Sequence, residues 1–398
     1  MYPTIYHALK DLIGVDWQWL KLLNSFGFFV ALAFVVASWL LSRELKRMEK
    51  NGELQARKKK IVVGKPVSPM SYLLNGAMGF LLGYKVLGLV FNAQDAFGNG
   101  SRPQEYLLSA EGNLIGGIIV AALFVFMRYR EGQKNKLPEP EEREITVHPF
   151  ELTGTITMVA AVGGIVGAKF FHLFEDPDNF LEFFRNPSID NLLSGLTIYG
   201  GLIVGGAAVL FYAKRHGIPM LKIADATAPG LILAYGIGRI GCQVSGDGDW
   251  GIVNTSPKPG WMSWLPDWLW SYDYPNNVNR MGVPFDGEPC FDGYCTHLVP
   301  SVFPTPVYET IMAVIIFFIL WSLRKRIKIP GMIFALYLAF NGFERFWIEK
   351  IRVNDTYNLL GMEITQAEII STLLFIAGIV MMVVLKKRWD KKQSVKAE

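Results

Sequence analysis

Charge is scarce in this 398-residue chain: Asp, Glu, Lys and Arg make up 19% of it, against 51% hydrophobic residues. The net charge of only +4 gives no basic surface of the kind that nucleic acid requires. Cysteines number three. Cys290 and Cys295 fall in "CFDGYC", where an oxidising compartment would favour a short-loop disulfide. A zinc site that adds His297 to them lacks a fourth ligand. Missing too is a small-residue cleavage pattern after the first apolar run, so that run reads as a permanent span and not a signal peptide.

What is abundant is apolar residues in blocks long enough to cross a bilayer. Nine are expected, at about 24–42, 72–91, 112–127, 152–173, 195–213, 221–241, 306–323, 331–348 and 366–385. Glycines dilute the second and third. With the N-terminus outside, alternate loops hold 27 of the chain's 39 Lys and Arg residues, the bias that marks a cytoplasmic side. "RKKK" at 57–60 then reads as a topology anchor. Residues 1–23, with Trp17 and Trp19, read as an interfacial segment on the outer face. The connection at 175–191 reads as a short helix on the membrane. The stretch from Gly246 to about Thr305 is too rich in Pro, Gly and Asp to lie in lipid, and is expected to form a head on the outer face.

The expected fold is therefore an all-α integral membrane protein. The chain divides into an outer-face segment with the first span (1–50), a two-span hairpin with cytoplasmic linkers (51–148), and a membrane core (149–398) carrying the head at about 246–305.

Polar residues in the spans gather at one depth. Arg239 sits at the outer end of span six among Gly236, Gly238 and Gly241, with Asp247 and Asp249 just after it. Arg345 and Glu349, spaced i,i+4, share a face at the outer end of span eight. Tyr199 opens span five; Lys169 and His172 close span four. Each has a structural alternative: a snorkelling cation, a helix ion pair, a belt tyrosine, a helix-end histidine, turn aspartates, or, for "PVYE" at 306–309, a span start with a structural carboxylate. Together they suit a site that serves lipid headgroups, whose phosphate guanidinium groups bind bidentately. A transporter would instead show internal repeats and midplane polar groups.

"GRIGCQVSGDGDWG" resembles the signature loop of the prolipoprotein diacylglyceryl transferases, usually G-R-[IL]-G-N-F-x-N-G-E-x-W-G. "GIVGAKFFHLF", "GLTIYGGLIVGG", "PTPVYE", "NGFERFWIEKIRVND" and "SFGFFVALAFVVASWLLSRELKR" are similar to the family's other segments, so the likeness covers most of 20–45 and 150–385. The resemblance implies a core of seven spans with an inserted hairpin and a periplasmic head, in the bacterial inner membrane, N-terminus periplasmic and C-terminus cytoplasmic. It also implies transfer of a diacylglyceryl group from phosphatidylglycerol to the lipobox cysteine of a prolipoprotein, with no cofactor and no metal. On this pattern Tyr199, Arg239, Asp247, Asp249, Arg345 and Glu349 are the catalytic candidates. Arg239, Arg345, Lys169, Cys242, Ser245, Gly251 and Phe26 are the substrate-binding ones.

The chain departs from the pattern at several of these positions. Tyr199 replaces a histidine, Cys242 and Ser245 replace asparagines, Lys169 an arginine and Phe26 a tyrosine. The loop is one residue longer, so either Asp247 or Asp249 stands for the glutamate. Tyrosine, with a pKa of about 10, is a poor base at neutral pH, which moves that duty towards Asp247, Asp249, Glu349 or His172. An active transferase of divergent type and a relative that binds phospholipid or lipoprotein precursors without transfer are both compatible with these changes.

Overall fold

The computed structural model describes residues 1–93, 97, 106–107, 109–175, 180, 185, 195, 197–284, 290–354, 356–359 and 362–397. The expected short helix at 175–191 lies almost wholly outside these. Ten helices organise the described chain: α1 (Ile5–Ile13), α2 (Ser25–Lys50), α3 (Pro69–Phe91), α4 (Leu114–Asn135), α5 (Thr153–Glu175), α6 (Ile198–Arg215), α7 (Met220–Ser245), α8 (Thr305–Leu323), α9 (Met332–Glu349) and α10 (Gln366–Ala397). The nine from α2 onward stand where nine spans are expected. Among the described residues, six are long and apolar enough to cross a membrane: α2, α3, α5, α7, α8 and α10. The charged residues of α4 and α9, and the glycines and basic end of α6, dilute the other three.

Helix α7 is the hub. Half of its most apolar window is buried within the protein, against 33% or less for the other five apolar helices. It packs on α2, α8 and α9, and its glycines permit the approach. A methyl on Gly236 would come within 2.9 Å of Ala313 on α8, and one on Gly241 within 3.0 Å of Phe29 on α2. Leu40, Ala228, Ile232, Ile316, Leu320 and Ile333 fill the space between these four helices. Small residues serve the α5–α6 pair in the same way, as expected of helices that associate by close packing. A Cβ on Gly167 would meet Val204 and the carbonyl of Gly200.

Two of the helices start on a side-chain cap. Ser68 accepts a hydrogen bond from Ser71 N at the start of α3, and Asn113 from Gly116 N at the start of α4. Helix α7 stops at Gly246, whose φ of 64° only glycine adopts without penalty, and its N–H closes on the Cys242 carbonyl.

Two features were not expected from the sequence. The basic run lies in a strand, β1 (Arg57–Val63), paired antiparallel with β2 (Glu141–Val147) from the charged linker; Lys58 reaches Glu144 at 3.5 Å across the ribbon. A second cluster of ion pairs sits at the end of the bundle away from Arg239. There Glu44, 1% exposed, is held by Arg47 and Arg324.

The head between α7 and α8 is irregular, as expected, and has its own small core of Trp250, Tyr274, Leu298 and Val302. Cys290 and Cys295 are disulfide-bonded. Beside that bond, Asp292 accepts from Lys21 and contacts His7, so the N-terminal segment is tied to the disulfide loop.

Candidate active site

Three helix ends and the head meet around one carboxylate. Glu309, in the first turns of α8, is 0% exposed. Arg239 Nε of α7 lies 2.7 Å from its Oε2. Arg345 Nη1 of α9 lies 3.1 Å from its Oε1, and Arg352 Nη1, just past α9, is 3.3 Å from the same oxygen. The arginines hold further carboxylates. Arg239 and Arg352 grip opposite oxygens of Asp249, and Arg345 Nη2 lies 3.1 Å from Glu349, its i,i+4 neighbour. A carboxylate this deeply buried is tolerable only because guanidinium groups surround it.

The signature loop is built to present Asp249. Gly246 and Gly248, at φ 64° and 98°, turn the chain back over the end of α7. Thr305 Oγ1 donates to the Asp249 carbonyl at 2.8 Å, and Gly251 N to Phe303 O at 2.8 Å. Gly251 also pairs with Arg352 as an isolated bridge, and a side chain there would collide with the Ile351 carbonyl. Gly251 thus acts by letting two backbones touch, and this is what brings Arg352 to Asp249.

Electrostatics separate the two aspartates. Burial pushes the Asp249 carboxyl up, but Arg239 and Arg352 outweigh it and hold it at about 2. Asp247 moves the other way, raised by burial and then by the charge of Asp249. Cys242 lies between them, 4% exposed, its Sγ donating to Asp249 Oδ2 at 3.4 Å. Cys242, Asp247 and Asp249 could by distance share a metal ion, but Asp249 is already occupied by two guanidinium groups.

The other expected residues are placed as follows. Tyr199, half-buried in the first turn of α6, is within electrostatic reach of Arg345, Glu349 and Arg352. Phe26 packs against Gly241, the residue before Cys242. Ser245, 2% exposed, turns its hydroxyl to the Cys242 carbonyl. Lys169 and His172 lie near the end of α5, His172 against Gly195.

Two residues gain importance over the sequence reading. Glu309 moves from a span-start carboxylate to the centre of the cluster. Arg352 was not singled out, although its spacing of seven from Arg345 and three from Glu349 placed it on their face. Two more groups near the cluster are buried without a hydrogen-bond partner: the Glu344 carboxyl and the Tyr235 hydroxyl.

Apolar helices of membrane-crossing length, with guanidinium groups converging on buried carboxylates at one end beneath a polar head, define a multi-pass membrane protein. The family model for prolipoprotein diacylglyceryl transferase matches residues 117–384, and the chain belongs to that family. It is 30% identical over 287 residues to a phosphatidylglycerol–prolipoprotein diacylglyceryl transferase of Corynebacterium glutamicum, covering 71% of this chain and 80% of that one. A protein of the same name from Bifidobacterium adolescentis is 29% identical over 250 residues, 60% of this chain and 67% of the other. One from Cutibacterium acnes is 24% identical over 283 residues, 70% and 81% of the two chains.

Proposed function

We propose that this chain transfers the diacylglyceryl group of phosphatidylglycerol to the lipobox cysteine thiol of prolipoproteins, a step of lipoprotein maturation. The observation that carries the reading is the convergence of Arg239, Arg345 and Arg352 from separate segments on Glu309. Phosphatidylglycerol is attacked at a glyceryl carbon and glycerol phosphate leaves. The barrier lies in the charge that builds on the departing phosphate, and preorganised guanidinium groups in a water-poor site are well suited to lower it. Glu309 and Glu349 hold the arginines in register while the site is empty. Asp247 and Asp249 are the carboxylates we assign to the role of base for the thiol. Tyr199, Lys169 and Phe26 are assigned to substrate binding; Ser245 and Gly251 shape the loop; Cys242 is a packing thiol and does not become acylated.

In this reading the site faces the periplasm from a bacterial inner membrane, with the N-terminus outside and the C-terminus in the cytoplasm, as the Lys and Arg bias of the loops favours. The core at 149–398 carries the chemistry, and the hairpin within 51–148 is an addition to it. The test is expression in cells depleted of their own transferase while a precursor lipoprotein is followed. Conversion of the precursor is expected. Accumulation of unmodified precursor, with the chain normally inserted, would reject the activity and leave a lipid-binding relative.

A further inference from the structure

The arginine cluster is electrically closed before any substrate arrives. Arg239, Arg345 and Arg352 face the ion-paired carboxylates of Asp249, Glu309 and Glu349. A phosphodiester brings one more negative charge, and an uncompensated anion in a largely buried cluster is costly. For the phosphate to meet free guanidinium groups, one carboxylate has to give way.

Asp249 is the one placed to do so. Its side chain is 32% exposed, whereas those of Glu309 and Glu349 are 0% exposed. The two glutamates stand on helices, while Asp249 stands on a glycine-flanked loop. Its backbone is pinned by Thr305, so release takes only a side-chain rotation. It also spans Arg239 and Arg352 with one oxygen each, and a phosphate can present the same pair of oxygens to the same two guanidinium groups. The oxygen that Arg239 holds, Oδ2, also accepts from a thiol, that of Cys242.

We propose that Asp249 is a displaceable counter-ion: the lipid phosphate takes its seat between Arg239 and Arg352, and the freed carboxylate becomes the base for the incoming cysteine thiol. This rests on the transferase reading above. The S–H proton passes to Asp249. The sulfur lone pair forms the bond to the glyceryl carbon, the carbon–oxygen bond to phosphate breaks, and its electron pair leaves on the phosphate oxygen, held by the two arginines. The proton then moves from Asp249 to glycerol phosphate. Re-ionised Asp249 returns to the arginines as the product departs. While paired, Asp249 is held at about 2 and is no base. Once Arg239 and Arg352 turn to the phosphate, burial and the neighbouring Asp247 and Cys242 are what it faces, and a buried carboxyl without its cations is far more basic.

The experiment compares the full chain with Asp249→Asn and Arg239→Ala, all reconstituted in phosphatidylcholine nanodiscs. Immobilisation of spin-labelled phosphatidylglycerol reads binding, and diacylglyceryl transfer to a synthetic lipobox peptide reads turnover. Asp249→Asn is expected to bind the lipid about tenfold tighter, because a like charge is removed from the seat, yet to transfer about 100-fold more slowly for want of a base. Its residual rate should rise roughly tenfold per pH unit below the free thiol's pKa of about 8.5, as bulk hydroxide supplies the thiolate. Arg239→Ala should lose both binding and transfer. Weaker lipid binding by Asp249→Asn, transfer close to that of the unaltered chain, or a pH-independent residual rate would each overturn the proposal. Asp249→Ser carries the same comparison should the amide variant fail to fold. If the unaltered chain binds lipid but transfers nothing, the transferase reading fails, while the binding difference still decides whether Asp249 blocks the seat.

Discussion

Arg239 and Arg345, on helices α7 and α9, reach the two oxygens of one carboxylate, that of Glu309 on α8. Neither arginine could be held this close to the other in a poorly hydrated site without the charge between them. Glu309 is therefore the pivot of the site, although it need not touch substrate.

Glu309→Gln keeps the shape and removes the charge. Three guanidinium groups would then face one another with their central partner lost, at a cost of about 3–5 kcal/mol. The expected outcome is a large drop in thermal stability in detergent together with loss of transfer. A variant that melts like the unaltered chain would show that the three arginines do not depend on this carboxylate.

Replacing Arg239 by lysine keeps the charge but cannot bridge Glu309 and Asp249, because an ammonium group lacks the guanidinium fork. Transfer by Arg239→Lys should fall about 100-fold. Cys242→Ala, three residues away, removes only a small buried side chain and two weak hydrogen bonds, one from Arg239 and one to Asp249. Its transfer should stay within about threefold, since the thiol supplies only such weak bonds. Equal damage from both, in a precursor-conversion assay, would make Cys242 part of the chemistry.

Gly251→Ala tests the contact that delivers Arg352. The added methyl would come within 2.5 Å of the Ile351 carbonyl and 2.8 Å of Phe303 Cβ, with little room to yield because backbone lies on one side. The loop must lift, and Arg352 and Asp249 part. Transfer is expected to fall about 100-fold, as a misplacement of about 1 Å can bring, with membrane insertion unchanged. Full activity would mean that this close approach is incidental.

Much of this arrangement was legible in the chain, for a physical reason. Lipid imposes long apolar blocks, so the nine long helices and the head were readable, and charges in such blocks stand out because they are expensive. That exposed Arg239, Arg345 and Glu349. Arg352 was harder to see because it lies just beyond the apolar block, where a charge costs little and attracts no notice. Glu309 was ambiguous for a similar reason: a carboxylate near a span start reads as structural until its partners are known, and these come from residues 70, 36 and 43 positions away. The β1–β2 ribbon was missed because its strands, 78 residues apart at their closest ends, carry charge on every face and show no alternating apolar pattern.

The acid response of the signature loop follows from Asp249. Its carboxyl is held at about 2, below the ordinary carboxyl value. A depressed folded-state value means that the ion pairs stabilise the loop fully above the ordinary value and lose that effect as pH falls through about 2. Trp250, 7% exposed and next in sequence, should report the change. Its emission is expected to stay constant down to about pH 4 and to shift red between about 4 and 2. Asp249→Asn should lack that step, and a step of equal size in the amide variant would assign the transition to another carboxyl.

The far end of the bundle provides a separate test, because stability and chemistry can be pulled apart there. Glu44 on α2 accepts from Arg47 Nε at 2.9 Å and from Arg324 Nε at 2.8 Å, and Arg324 lies over the Trp321 ring. This carboxylate links the end of α2 to the turn after α8, two helices that flank α7. Glu44→Gln leaves two buried or half-buried guanidinium groups short of a partner, at a cost of about 3–5 kcal/mol. Since Arg239 and Arg345 sit at the opposite ends of α7 and α9, the loss should appear as a lower melting temperature with transfer per folded molecule preserved. If Glu44→Gln instead lowers turnover at a temperature where it remains folded, the two ends of the bundle are mechanically coupled, and the active-site geometry depends on how α2 and α8 are clasped below it.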